Sequence, residues 1–158
     1  MEAKRWFFVN INALLGFEIL RTGKKLCHIE VQGYKQAPVK RHGCPSHGIA
    51  LTPDEKELSL ADCANSAIHV FDSRVMPAKQ VTTIKALDCV GWLSFSMDGR
   101  FAYSSTGEII DVATKRIVAV LKDETGREVQ SEKVLDLTIA NGKVVRAGNQ
   151  FGVGMKRN

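Results

Sequence analysis

The sequence predicts an all-β chain assembled from repeated four-stranded antiparallel sheets. Three observations carry this reading: a self-similarity at about forty-four residues, short strand-like runs between turn residues, and no helical periodicity. Gly48-Ile49-Ala50-Leu51-Thr52-Pro53-Asp54 resembles Gly91-Trp92-Leu93-Ser94-Phe95-Ser96-Met97-Asp98. Leu51 and Phe95 stand 44 apart, and so do Asp54 and Asp98.

The elements follow in the same order in both copies. After each Asp comes a tight turn, Glu55-Lys56 or Gly99-Arg100, and then a short strand, Leu58–Leu60 or Phe101–Tyr103. A polar break leads to a third strand, Ile68–Phe71 or Ile109–Val112, and a fourth closes the unit, Gln80–Ile84 or Arg116–Leu121. Four short strands per repeat of this length describe one blade of a β-propeller. A blade buries both sheet faces by stacking on its neighbours, so its strands are rich in Val and Ile rather than strictly alternating. Partial copies flank the two full ones. Gly16–Ile19 with Thr22-Gly23-Lys24-Lys25 and Leu26–Val31 matches the last two strands of a preceding blade, and Trp6-Phe7-Phe8-Val9 reads as a strand before them. Downstream, Val134–Ile139 and Lys143–Val145 flank Asn141-Gly142, a type I′ hairpin signal. The expected organisation is a single partial propeller over 1–158, with a partial blade at 6–31, full blades at 47–84 and 91–121, and a hairpin at 133–147.

Length adds a constraint. Four blades of this period would need about 176 residues, and propellers have ~4–8 blades. A chain of 158 residues cannot close such a ring alone, so the expectation is a piece of a longer propeller or assembly with copies of itself.

Hydrophobic residues make up 44% and charged residues 25%, the balance of a globular chain rather than a disordered one. No apolar run approaches the ~18–20 residues of a spanning helix, so no membrane span is expected. The formal net charge is +5. All of that excess lies in residues 1–41, where eight Lys or Arg face three Glu. These charges fall at strand ends and loops without interleaved aromatics, so no nucleic-acid partner is expected. Lys4 and Arg5 before an apolar run resemble an export signal for a moment, but Asn10 and Asn12 break the run and no small-x-small cleavage site follows.

Thr52-Pro53-Asp54-Glu55-Lys56-Glu57-Leu58, followed by Leu60-Ala61-Asp62 and Ile68-His69-Val70-Phe71-Asp72, resembles a repeat of the bacterial YVTN-type β-propellers. That group is similar to lactonase-like and cytochrome cd1-like propellers. The resemblance covers roughly residues 16–150 and implies architecture more than activity. Ser59 stands where the repeat commonly has an aromatic, and Cys63 where it commonly has Gly. The resemblance also implies a periplasmic or extracellular location for a full-length form.

Candidate chemistry concentrates in His42-Gly43-Cys44-Pro45-Ser46-His47, three metal-competent side chains within six residues. Haem iron could take one axial histidine from such a loop. Loops entering a first strand and loops joining the second to the third emerge on one propeller face. That places His42, Cys44, His47, Asp62, Cys63, Asp88 and Cys89 together, opposite the Thr52–Lys56 and Met97–Arg100 turns. The four cysteines include no CxxC pair, so the default is free thiols, against the alternative of a Cys63–Cys89 disulfide between neighbouring blades. Asp54 and Asp98 read as turn residues capping backbone N–H groups. No G-x-S-x-G, P-loop, G-x-G-x-x-G or H-E-x-x-H occurs. The expected function is therefore a non-catalytic propeller segment, with no cofactor, that binds a protein or small ligand through its loop face. The alternative is the propeller portion of a metal- or haem-binding oxidoreductase or hydrolase.

Overall fold

The computed structural model describes residues 6–11, 14–19, 25–34, 38, 46–131 and 134–148, with side chains from Cys27 onward. The described elements are all β. Strands β1 (Trp6–Ile11), β2 (Leu14–Ile19) and β3 (Lys25–Glu30) form an antiparallel sheet in chain order. Strands β4 (Ser46–Leu51), β5 (Glu57–Asp62), β6 (Ala67–Asp72) and β7 (Lys79–Lys85) form a four-stranded blade. A second blade comprises β8 (Leu93–Phe95), β9 (Phe101–Ser104), β10 (Glu108–Asp111) and β11 (Arg116–Val120). A hairpin of β12 (Leu137–Ala140) and β13 (Lys143–Ala147) follows, turning at Asn141 and Gly142, both at positive φ. That is what a type I′ turn requires.

The first blade packs on both faces, and its period-two side chains divide accordingly. Leu58, Leu60 and Phe71 point to one layer, with Val31 and Ala78. Ala61, Ile68, Val70 and Ile84 point to the other, where they meet Leu93, Phe95, Ala102 and Ile110 of the second blade. This explains why β5 and β6 are buried almost throughout while β11 is exposed along its length. Inner strands lie between blades, and the outermost strand faces solvent. Near the inner strands the chains approach closely. A Cβ on Gly48 would come within 2.5 Å of the Gly91 carbonyl oxygen, so the position demands glycine.

The 44-residue repeat is reproduced bond for bond in the first turn of each blade. Thr52 N donates to the Glu57 carbonyl (2.8 Å) and Ser96 N to the Phe101 carbonyl (2.9 Å). Thr52 Oγ1 donates to Asp54 Oδ1 (2.7 Å), and Ser96 Oγ to Asp98 Oδ1 (2.6 Å). Each aspartate also accepts a backbone N–H two residues on, from Lys56 (3.2 Å) or Arg100 (3.0 Å). Asp54 and Asp98 are turn residues, as their spacing predicts.

Candidate functional site

The described sequence-derived candidates, His47, Asp62, Cys63, Asp88 and Cys89, lie at one end of the two blades. Asp62 ends β5, Cys63 begins the turn after it, and Cys89 lies in the linker from β7 to β8. Cys63 and Cys89 form a disulfide, which decides between the free-thiol default and the inter-blade bridge. Both are buried. Asp88 is half-buried beside Cys89. His47, exposed on β4, has Nδ1 3.3 Å from the Gly91 carbonyl oxygen, with its ring 6.2 Å from that of Trp92. His42 and Cys44 lie outside the described residues.

Asp62 is fully buried, and its partners explain how a carboxylate survives there. Asn65 donates from Nδ2 (2.7 Å) and from its backbone N (3.1 Å), and His69 Nε2 lies 3.1 Å from Oδ2. Burial pushes the Asp62 pKa up, but the hydrogen bonds from His69 and Asn65 outweigh it and hold the group below the ordinary carboxylate range. The chain of bonds continues outward. His69 Nδ1 is 2.9 Å from Thr83 Oγ1, Gln80 Nε2 donates to Thr83 Oγ1 (3.0 Å), and Gln32 N donates to Gln80 Oε1 (2.7 Å). Tyr34 meets the His69 ring edge-to-face at 4.8 Å.

Asp62, His69 and Thr83 share the connectivity of a nucleophile triad. The series ends on the Gln32 backbone instead of opening onto a cavity, and Asp62 and His69 have no exposed surface. It is a strut tying β5, β6 and β7 to the segment after β3. Sequence reasoning named Asp62 but missed His69, Thr83 and Tyr34. The signal was the strand register: Leu60 pairs with His69 and Asp62 with Ala67, so the histidine lies two pairs from the end of β5, on the same face as Asp62.

The second blade places Glu108 where the first has His69, counting from the paired positions Glu57–Asp72 and Phe101–Asp111. Glu108 accepts from the Ser104 hydroxyl, the Thr106 hydroxyl (2.5 Å) and the Leu87 N–H (2.5 Å). Burial raises its pKa, but these bonds prevail and lower it. In both blades the linker after the preceding strand supplies a lid: Tyr34 and Gln32 for one, Leu87 for the other.

The Cys63 and Cys89 sulfurs are bonded to each other, Asp62 is enclosed by donors, and His47 lies against a carbonyl. Among the described residues, no three His, Cys, Asp or Glu side chains converge on a metal position.

An open cleft lies at the opposite end. With a volume of about 610 Å³, it runs between the two first turns and the two turns after the third strands, lined by Thr52–Asp54, Lys56, Glu57 and Arg74 on one side and Met97–Arg100, Asp111–Ala113 and Lys115 on the other. Its size is that of a small-molecule or short-peptide pocket, ~300–1,000 Å³. Lys115 Nζ reaches Glu57 Oε2 across the blade boundary (2.5 Å), with both side chains largely covered. The lining aspartates are held ionised by their turns. The Thr52 hydroxyl, then Lys56, holds Asp54 at about 2. Ser96 lowers Asp98, and the Thr114 backbone and hydroxyl lower Asp111.

Blade-on-blade packing with inner strands buried defines the class: the chain is a partial β-propeller of four-stranded antiparallel blades. Solved structures agree on the fold. The chain is similar to Kuenenia stuttgartiensis hydrazine synthase at 16% identity and a TM-score of 0.63, covering 91% of this chain and 42% of that one. It is similar to a functionally unknown protein from Desulfotomaculum acetoxidans at 14% identity and a TM-score of 0.61, covering 82% and 38%. It is also similar to the dihydro-heme d1 dehydrogenase NirN in complex with DHE at 15% identity and a TM-score of 0.60, covering 91% and 35%. The chain thus spans less than half the length of each. No family model matches it, and no curated protein sequence does. No helix among the described residues is long and apolar enough to cross a membrane.

Proposed function

We propose that this chain is a non-catalytic segment of a YVTN-type bacterial propeller that binds a protein or small ligand through the cleft between its two full blades. One observation carries the reading: the cleft is walled by turns whose aspartates are hydrogen-bonded into place, and its lining residues include no histidine, cysteine or serine. Rigid turns presenting charge are where binding residues gather. In this reading 1–158 is one partial propeller divided at 6–31, 47–84, 91–121 and 133–147. Further blades, from a longer chain or from copies of this one, complete the ring. The exposed Leu135, Leu137, Ile139 and Val144 on the last hairpin support that completion. The Cys63–Cys89 disulfide supports a periplasmic or extracellular location, because such bonds persist in oxidising compartments.

The alternative is the propeller portion of a metal- or haem-binding oxidoreductase or hydrolase. Its support is the likeness to NirN, which at 15% identity is a likeness of fold. Amide chemical-shift mapping with a small-fragment library, beside an absorption spectrum and metal analysis, tests both. Shifts clustered at 52–57, 97–100 and 111–115 support the cleft. Shifts clustered at 46–47, 62–63 and 88–92, or a Soret band, overturn it.

A further inference from the structure

We infer that the cleft takes a zwitterionic ligand, a carboxylate and an ammonium carried a few bonds apart, with Arg100 as the carboxylate anchor; this rests on the cleft being the binding surface. Four cations and four carboxylates line it, and their commitments differ. Arg74 forks onto Asp72 through Nε (2.9 Å) and Nη2 (2.8 Å). Lys56 Nζ sits 3.0 Å from Asp54. Lys115 is taken by Glu57 and by the Val112 carbonyl. Arg100 is different. Its guanidinium carbon lies 5.2 Å from the Phe101 ring centroid, and that contact orients the group while engaging none of its N–H donors. Among the described residues no carboxylate reaches it within ion-pair distance, so its planar fork is open to a carboxylate.

The acidic side points to the second charge. Asp98 fastens its turn through Oδ1, to Ser96 (2.6 Å) and Arg100 N (3.0 Å), and Asp111 does so through Oδ1 to Thr114 N and Oγ1 (2.8 Å each). Each leaves Oδ2 for a cation. The turns hold both aspartates ionised, and both lie near enough to Arg100 to feel its charge. A simple anion approaching Arg100 therefore meets two carboxylates, and a simple cation meets the guanidinium. A ligand carrying both signs satisfies both. Pro53, Met97, Val112 and Ala113 offer apolar contact between the charges.

Two sources present this chemistry, a free amino-acid-like zwitterion and a polypeptide segment with neighbouring acidic and basic side chains. Isothermal titration of the whole chain separates them with four probes: diglycine, the capped peptide acetyl-Lys-Gly-Glu-amide, succinate and 1,4-diaminobutane. Either diglycine or the capped peptide is expected to bind at least tenfold more tightly than succinate and diaminobutane. Preference for diglycine assigns the free zwitterion, and preference for the capped peptide assigns the polypeptide. Arg100→Ala should weaken the preferred probe at least tenfold, and Arg100→Lys should restore part of the loss. Circular dichroism checks that each variant is folded. Succinate binding as tightly as the mixed-charge probes, no binding by either of them, or an Arg100→Ala variant of unchanged affinity overturns the inference. In any of those cases fragments still mapping to the cleft would leave the broader binding reading standing, whereas fragments mapping elsewhere would remove both.

Discussion

The blades β4–β7 and β8–β11 share a fold and a first turn but solve the burial of polar groups differently. The first buries an Asp62–His69 pair and continues it through Thr83 and Gln80 to the segment after β3. The second buries a lone carboxylate, Glu108, among two hydroxyls and one backbone N–H. Both solutions occupy the same register position and face the preceding linker. A propeller repeat therefore imposes the geometry of a site, and the residues that satisfy it vary from blade to blade. What the geometry requires is that a polar group there be fully partnered.

The largest difference should appear when one carboxylate is removed from each blade. Asp62→Ala leaves His69 buried without its acid partner and should cost about 3–5 kcal/mol. Glu108→Ala leaves two hydroxyls and the Leu87 N–H without their acceptor, at about 2–3 kcal/mol. Urea denaturation of both variants checks the order, and equal losses would mean that the His69 strut adds nothing. Acid extends the test. Both carboxylates have folded-state pKa values below their unfolded ones, so their stabilisation is present above about pH 4.5 and lost as the pH falls. The wild type should lose stability on acidification more steeply than either variant.

A second break targets the staple between the blades. Cys63 and Cys89 are 26 residues apart, and closing a loop of that length restricts the unfolded chain by about 3.5 kcal/mol. Cys63→Ala with Cys89→Ala should lower the melting temperature by several degrees, and so should a thiol reductant on the wild type. A melting temperature indifferent to reductant would show that the bridge contributes nothing to stability.

The smallest effect sharpens the comparison at the repeated turn. Glu55 and Gly99 occupy equivalent positions, at φ 61° and 73°. Glycine adopts this left-handed region freely and other residues do so at a cost of ~1–2 kcal/mol, offset in part by the entropy of glycine in the unfolded chain. Glu55→Gly should stabilise by up to about 1 kcal/mol and Gly99→Ala should destabilise by about 1 kcal/mol. Thermal melts of both check the opposite signs.

Turns were the most legible part of the sequence. Thr52, Asp54, Ser96 and Asp98 act within six residues of chain, so their spacing alone implies their hydrogen bonds. Asp54, Lys56, Asp98 and Arg100 of the cleft were legible as turn residues, yet nothing local shows that the turns of neighbouring blades stand apart to leave a cavity. His69 could not be singled out, because its partners lie 7 and 14 residues away on adjacent strands and 35 away at Tyr34. Read along the chain it is one polar residue in an apolar strand.

By itself, then, the sequence determined the strands, their four-fold grouping, the repeated turn and the end of the blades at which Asp62, Cys63 and Cys89 collect. These follow from interactions over a few residues and from a period that recurs. Only the tertiary structure decided that the two cysteines bond, that Asp62 serves a buried strut, and that the open cleft lies at the other end. Those outcomes depend on how one twisted sheet rotates against the next, which sets distances between residues far apart in the chain and leaves no local pattern to read.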